Sequence, residues 1–297
     1  MTFASAALCQ STQPATNFPR QKVLFYSKSA GFEHGVVKQT GGKPSLADRV
    51  LTALAEKNNI DLVCSKDGSQ FSAEYLKQFD ALIFFATGDL TAAGFDKNPP
   101  MTPEGRDAFL KAIESGTGFV GIHAAADCSH KYGDKDMGPN RYRQDGPDAA
   151  PYIQMLGGEF IKHDKEATAP LIIVNPKFPG IDAIPANWTL HEEWYTFKNF
   201  AGDLHVILLQ DTAAIPQPSY ARPNYPMTWA RMHGKGKVFY TSLGHRPDVW
   251  NNPVFQSIVA GGTNWALGRV QTDVTPNIAE VAPGANTLPE IYRRGQP

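Results

Sequence analysis

The sequence predicts an α/β fold in which a mostly parallel sheet carries helices on both faces. Short, almost entirely apolar segments alternate in the first half with segments whose apolar residues recur every three or four positions. Continuous apolar runs are typical of strands buried on both faces, and the intervening pattern is that of amphipathic helices. This alternation is typical of parallel sheets with helical crossovers. The second half is richer in strand patterns, so we expect an elaborated, β-rich continuation of the fold.

Each element follows from a local signal. Ser45, with Asp48 at the third helical position, predicts the start of a helix. Pro103 in a first turn and Gly116 after the last turn bound a second helix, and Asn252 caps a closing helix over 253–269. The predicted strands are 22–27, 60–65, 81–89, 118–124, 169–175 and 203–210, followed by a hairpin within 227–245 whose turn is Gly-Lys-Gly-Lys.

The chain divides into three parts. Residues 21–270 form one α/β domain, within which the polar, Gly- and Pro-rich residues 130–152 are expected to run over the surface. Residues 1–20 are an N-terminal extension or linker that resembles a trimmed signal region. We expect a periplasmic or exported protein if that reading holds, and a cytoplasmic one otherwise. Residues 271–297 lack periodicity and are expected to wrap the surface.

Composition excludes several classes of partner. The 28 basic and 29 acidic residues give a net charge of −1 without charged blocks, which argues against nucleic acid. No apolar run reaches the roughly 18–20 residues that span a bilayer. Three cysteines without C-x-x-C spacing offer no metal motif, and the absence of a P-loop or G-x-G-x-x-G predicts no nucleotide cofactor. A neutral small molecule is the expected partner, and the oligomeric state stays open.

Polar side chains gather at the carboxyl ends of the predicted strands, where open α/β sheets bind their ligands. They include histidines after three strands, which could bind Zn²⁺ or a similar ion together with a carboxylate. Alternatively, they could act as general acids and bases, since imidazole titrates near neutrality. The residues alone do not decide between the two. The side chains concerned are Phe32, His34, Asp89, His123, Asp127, His245 and Arg246.

A second patch, His-Glu-Glu-Trp-Tyr, occupies residues 191–195. It begins like an H-E-x-x-H zinc motif, but Tyr195 replaces the second histidine, so the motif fails. In a strand, Glu193 and Tyr195 would point to one face and Glu192 and Trp194 to the other. The patch is either a structural cross-strand cluster or a set of acid–base and sugar-binding groups.

Six pieces of the sequence carry a resemblance to a known family: GFEH (31–34), GFVGIHAAAD (118–127), GGEFIKH (157–163), EEWYTF (192–197), YPMTWARMHGKGKVFYTSLGH (225–245) and GGTNWALGR (261–269). Taken in this order, they resemble the ThuA-like (trehalose-utilisation) family, whose flavodoxin-like fold is related to class I glutamine amidotransferases. In those amidotransferases a cysteine nucleophile stands at a strand-to-helix elbow, and His123 takes its place here. The resemblance therefore implies that thioester chemistry is absent. His163 could be a fourth ligand or an ordinary loop residue.

The resemblance implies chemistry on a 3-keto sugar with a divalent metal, zinc being the first choice. A ketone at C3 acidifies the hydrogen at C2, so elimination, hydration or isomerisation needs a base, an electrophile and an acid. A non-catalytic sugar-binding protein and a hydrolase of unmodified glycosides stay open as alternatives. The implied roles are metal ligands His34, His123 and His245; catalytic groups His123, Asp127, Glu193 and Tyr195; and substrate-binding groups Phe32, Asp89, Glu192, Trp194 and Arg246.

Overall fold

A computed structural model describes residues 18–133 and 138–293 of the chain. Most of the predicted N-terminal extension (residues 1–17), residues 134–137 of the predicted surface excursion, and residues 294–297 of the tail lie outside the described residues. None of the described helices is long and apolar enough to cross a membrane.

Eleven strands and eight α-helices make up the described chain. The strands are β1 (Gln21–Tyr26), β2 (Ile60–Ser65), β3 (Ala81–Phe84), β4 (Gly118–Ile122), β5 (Glu159–His163), β6 (Ala167–Ile173), β7 (Thr189–Glu192), β8 (Tyr195–Lys198), β9 (His205–Gln210), β10 (Tyr225–His233) and β11 (Gly236–Thr241). The helices are α1 (Leu46–Lys57), α2 (Ala73–Leu76), α3 (Pro103–Ser115), α4 (Pro151–Leu156), α5 (Pro247–Trp250), α6 (Pro253–Ala266), α7 (Ile278–Val281) and α8 (Glu290–Arg293).

The main sheet has nine strands in the order β2-β1-β3-β4-β11-β10-β9-β6-β7. The first five are parallel to one another, and β10, β9, β6 and β7 continue the sheet in antiparallel fashion. With β11 as its fifth strand, the parallel part has the flavodoxin-like order. Strands β5 and β8 form a separate antiparallel pair. The predicted α/β fold with a β-rich second half is therefore confirmed.

Helices cover both faces of the sheet and enclose two cores. Along β1, Val23 and Phe25 enter one core, while Leu24 and Tyr26 enter the other, as the period of two in a strand requires. Helices α1 and α6 pack into the first core, and α2, α3 and α4 pack into the second. Because both faces are covered, ligands can approach the parallel strands only at their ends.

The local predictions are largely confirmed. The Ser45 hydroxyl accepts the N–H of Asp48 at 3.1 Å and the Asp48 carboxylate accepts the N–H of Ser45 at 2.7 Å, which is a complete capping box. The hairpin turn and the Asn252 cap also form as predicted. Strands β3 and β4 are shorter than predicted and end at residues 84 and 122. At these points the chain leaves the sheet and enters the connections that follow the two strands.

The described part of the C-terminal tail packs against the body of the protein. Ile278, Ala282 and Ala285 are buried in the second core. The amide of Asn286 bonds to both the N–H and the carbonyl of Phe200. This segment is therefore anchored to the body of the protein by buried side chains.

Candidate metal centre

His123 stands at a sharp turn after β4. Its φ of 44° lies in the left-handed region, which residues with a side chain rarely adopt, and a helical turn over 123–126 follows. Small neighbours make room for this turn, since a Cβ on Gly121 would lie 2.9 Å from the Tyr240 ring and 3.3 Å from Cβ of Ala125. Other α/β enzymes present their nucleophile on such a strand–turn–helix elbow. Here the elbow presents an imidazole.

Four side chains converge at this elbow: His34, His123, Glu193 and His245. One ligand atom from each lies within 4.8 Å of the other three, and we call this set the His₃Glu cluster. Oε2 of Glu193 lies 3.4 Å from Nε2 of His123 and 3.2 Å from Nδ1 of His245. The three histidines follow β1, β4 and β11, so the parallel register brings them to one edge, as the sequence predicted.

Two of the histidines direct an unpaired nitrogen at the cluster. Nδ1 of His123 lies 2.7 Å from the carbonyl of Ser242, which can only accept, so the lone pair of His123 is on Nε2. Nε2 of His245 faces the Glu166 carboxylate at 3.4 Å, which leaves Nδ1 of His245 toward Glu193. These two inner nitrogens are buried, and they face Oε2 of Glu193 at 3.4 and 3.2 Å without the geometry of a hydrogen bond. Metal-binding histidines are typically held in this way, by a carbonyl or carboxylate on the outer nitrogen.

The protonation states of three of the four side chains suit a cation. Burial, reinforced by the neighbouring histidines, holds the pKa of His34 well below its ordinary value. Burial also lowers the pKa of His123, although Glu193 opposes this. Burial would raise the pKa of Glu193, but its contacts with His123 and His245 hold that pKa well below the usual range. Two neutral imidazoles and an ionised carboxylate therefore face one another. Burial would lower the pKa of His245, but Glu193, Glu192 and Glu166 raise it, so His245 would have to release a proton before it could join the other three as a ligand of a zinc-type ion.

Aromatic and polar side chains surround the cluster. The Tyr195 ring packs on the His123 ring with centroids 4.0 Å apart, and burial raises the pKa of its phenol well above the ordinary value. Phe32 is 63% exposed and meets the His34 ring edge-on at 5.0 Å. His163 is partly exposed, and its Nδ1 lies 3.2 Å from Oε1 of Glu193. Sequence reasoning did not connect His163 with Glu193, because strand β5, which carries it, was not predicted.

Glu192 and Trp194 lie behind the cluster. Oε1 of Glu192 accepts the N–H groups of Gly244 and His245 at 2.6 and 2.7 Å, so Glu192 holds the turn that presents His245. Burial raises the pKa of Glu192 to about 7. Trp194 is buried in the first core and donates its indole N–H to the carbonyl of Ala167. Of the two adjacent glutamates, Glu193 therefore faces the histidines.

Asp127 belongs to a second charged group. Its Oδ1 lies 2.9 Å from Nε2 of His130, whose Nδ1 lies 2.8 Å from Oε1 of Glu159. The side chains of His130 and Glu159 are almost fully buried, whereas 27% of the Asp127 side chain is exposed. Asp127 is thus oriented by His130, not by a member of the His₃Glu cluster.

Asp89 and Arg246 are also placed outside the cluster. The carboxylate of Asp89 accepts both the N–H and the hydroxyl of Thr91 and caps its own turn. Arg246 pairs with Glu166, the same carboxylate that faces His245, and with Asp248. The role of Glu166 could not be predicted, since it lies on the short connection between β5 and β6 with no motif to mark it. The substrate-binding roles of Asp89 and Arg246 stay predictions.

The flavodoxin-like order of the parallel strands and the elbow at His123 define an α/β protein whose strand-to-helix elbow carries a histidine within a histidine–carboxylate cluster. The family model described as ThuA, trehalose utilisation, matches residues 22–266, and the chain belongs to this family.

Solved structures share this fold. A protein from Bacteroides uniformis described as ThuA-like is 21% identical, with a TM-score of 0.59 over 88% of this chain and 95% of its own. Another described in the same way, from Parabacteroides merdae, is 16% identical, with a TM-score of 0.55 over 91% of this chain and 96% of its own. No protein of curated function matches the chain. Membership of the family relates the chain to carbohydrate use, and the reaction has to be argued from its own residues.

Proposed function

We propose that the His₃Glu cluster binds a divalent cation, zinc being the first choice, and that the protein acts on an oxidised (3-keto) sugar or glycoside by elimination, hydration or isomerisation. The observation that carries the proposal is the pair of buried ring nitrogens on His123 and His245 that face the ionised Glu193 without the geometry of a hydrogen bond. Leaving such atoms unpaired costs free energy unless a ligand satisfies them. A cation bound there would act as a Lewis acid toward a substrate oxygen.

The surrounding residues supply the other groups that chemistry beside a ketone needs. Glu193 carries a negative charge next to two imidazoles, so it can balance a cation. Tyr195 keeps its phenolic proton, because burial disfavours the phenolate, so it can donate a hydrogen bond to a substrate oxygen that gains negative charge. Phe32 offers an exposed ring beside His34 on which a sugar face can stack. The family relation to trehalose utilisation supports a carbohydrate as the substrate.

The first test is the metal content of the purified protein, measured by mass spectrometry after growth in zinc-supplemented medium. We expect one ion per wild-type chain and its loss in His123→Ala. His233→Ala is the matched control, since His233 ends β10 beside the hairpin turn, away from the strand ends that carry the cluster. Wild-type protein without metal, or a His123→Ala variant that keeps it, would contradict the proposed ligand role.

The second test follows deuterium uptake at C2 and product formation from a 3-keto glucoside in D₂O. We expect turnover by the wild type and by His233→Ala, and a loss of at least about a hundredfold in His123→Ala, the scale of a removed acid–base or electrophilic group. Sugar binding without turnover of keto or ordinary sugars would identify a binding protein instead. Cleavage of chromogenic, unmodified glycosides would identify a hydrolase.

A further inference from the structure

The two most exposed large apolar side chains of the described residues stand on neighbouring loops. Phe32 is 63% exposed and Phe95 is 71% exposed. Phe32 lies between β1 and α1, and Phe95 lies in the connection from β3 to α3. Single apolar residues at a surface are ordinary. Two exposed aromatic rings on adjoining loops, one of them against a member of the His₃Glu cluster, point to a ligand.

The backbones of the two loops are in direct contact. A Cβ on Gly94 would lie only 2.1 Å from Cα of Ala30, and the N–H of Phe95 donates to the carbonyl of Ser29 at 3.1 Å. Phe95 is one residue and Phe32 is two residues from the contact between Gly94 and Ala30. Because consecutive Cα atoms are about 3.8 Å apart, the Cα atoms of the two phenylalanines are separated by no more than about 15 Å. Two linked sugar rings can bridge such a span.

A buried ion pair makes the loops one rigid unit. Nζ of Lys28 lies 3.2 Å from Asp96 and donates to the carbonyls of Ala93 and Asn98, each at 2.7 Å. Asp96 also accepts the N–H of Ser29 at 2.6 Å. Both charged side chains are almost completely buried. An ion pair with this many hydrogen bonds fixes one geometry, so the loops do not rearrange to bury their phenylalanines.

Phe32 also ties this unit to the cluster. Its ring meets the His34 ring at 5.0 Å, and its carbonyl accepts the hydroxyl of Thr87 at 2.9 Å. A Cβ on Gly88, whose φ is +77°, would lie 2.3 Å from the nitrogen of Gly31, so only glycine allows this approach of the two chains. The ring of Phe32 is thus held beside the cluster by its own backbone.

We propose that Phe32 and Phe95 form a sugar-stacking surface, with Phe32 under the ring that reacts at the cluster and Phe95 under a second ring. The inference rests on the proposed function and deepens it, since it places the second ring of a glycoside on the side chain of Phe95. Pyranose faces present C–H groups that pack on aromatic rings, and an aromatic side chain provides a large contact with little conformational freedom to lose. Fixed, exposed rings are what such a surface requires.

Binding of trehalose and of methyl α-glucopyranoside by the full chain tests the proposal, with affinity from calorimetry and contact from saturation-transfer NMR. We expect Phe32→Ala to weaken both sugars by about tenfold, the scale of one lost stacking contact. Phe95→Ala should weaken trehalose and leave the monosaccharide unchanged, and Phe→Trp at either position should preserve binding. Met232→Ala is the matched control, because Met232 is also exposed but lies on β10 near the hairpin turn. All variants should melt within about 2 °C of the wild type, as surface substitutions do.

The outcomes separate this proposal from the previous one. If both alanine variants bind like the wild type while His123→Ala loses its metal and its turnover, the stacking surface is wrong and the proposed function stands. An equal loss of affinity in Met232→Ala would also overturn the stacking surface. If no protein binds either sugar, and the wild type does not convert the keto sugar, both proposals are wrong.

Discussion

Replacing His130 with glutamine should remove a pH-dependent part of the stability. The His130 side chain is 1% exposed, and its two ring nitrogens lie 2.8 and 2.9 Å from the carboxylates of Glu159 and Asp127. Burial opposes a charge on this ring, but hydrogen bonds to the two carboxylates outweigh it and raise the pKa of His130 to about 9. His130 is therefore an imidazolium ion at neutral pH, and it joins the connection after β4 to strand β5.

The size and sign of the effect follow from that pKa. An unfolded histidine has a pKa of about 6.5, and each unit of difference is worth about 1.4 kcal/mol, so protonation of His130 contributes about 3 kcal/mol. The pKa is higher in the folded state, so the contribution is complete below about pH 6.5, declines between pH 6.5 and 9, and is absent above. The wild-type free energy of unfolding should fall by about 3 kcal/mol from this group over that interval.

Urea unfolding of the wild type and of His130→Gln between pH 6 and 9.5 measures this directly. We expect the pH-dependent decline to be missing in the variant. His205→Gln is the matched control, because His205 is also buried, but its ring contacts an amide and a carbonyl rather than carboxylates. Parallel pH curves for wild type and His130→Gln would refute the reasoning, and so would an NMR titration of the His130 ring with a midpoint near 6.5.

Three further substitutions test the supports of the site and the fold. Glu192→Leu leaves the N–H groups of Gly244 and His245 unpaired, so the free energy of unfolding should fall by about 2–4 kcal/mol. Glu192→Gln keeps an acceptor and should lower it less. Equal losses in the two variants would contradict this role of Glu192. Gly121→Ala places a methyl group against the Tyr240 ring, so we expect the free energy of unfolding to fall by about 1–3 kcal/mol and the metal content to decrease. Wild-type values for both would show that the packing around Gly121 is not tight. Ser45→Ala removes the capping box of α1, so the free energy of unfolding, measured by thermal unfolding, should fall by about 1 kcal/mol while the metal content stays the same. A change in metal content would show that the role of Ser45 is not purely local.

Sequence reasoning succeeded where the signal is local or follows from strand register. The Ser45 capping box and the hairpin turn involve residues within a few positions of each other, and both formed as predicted. His34, His123 and His245 are distant in sequence, but parallel strands place their carboxyl ends at one edge, so their convergence was predictable. A contact between residues far apart in the chain can be anticipated only through such a rule.

The remaining parts of the site come from connections that no such rule covers. Glu193 enters the cluster from the break between β7 and β8, which belong to different sheets, so its contact with His123 follows from the antiparallel half of the fold. Strand β5 is short and irregular in its pairing with β8, and its sequence lacks a regular alternation of apolar and polar residues. Because β5 was not predicted, neither the contact of His163 with Glu193 nor the pairing of His130 with Glu159 could be anticipated.

The spread of the cluster along the chain has a consequence for how the protein folds. Its four side chains lie between positions 34 and 245 and come from both the parallel and the antiparallel part of the molecule. Contacts of such high sequence separation form late, since the loops between them must close first. During synthesis a chain shorter than about 245 residues lacks one of the four donors, whatever its local structure. The complete cluster therefore exists only when both parts of the fold have come together, and occupancy by a cation would distinguish such molecules from partly folded ones.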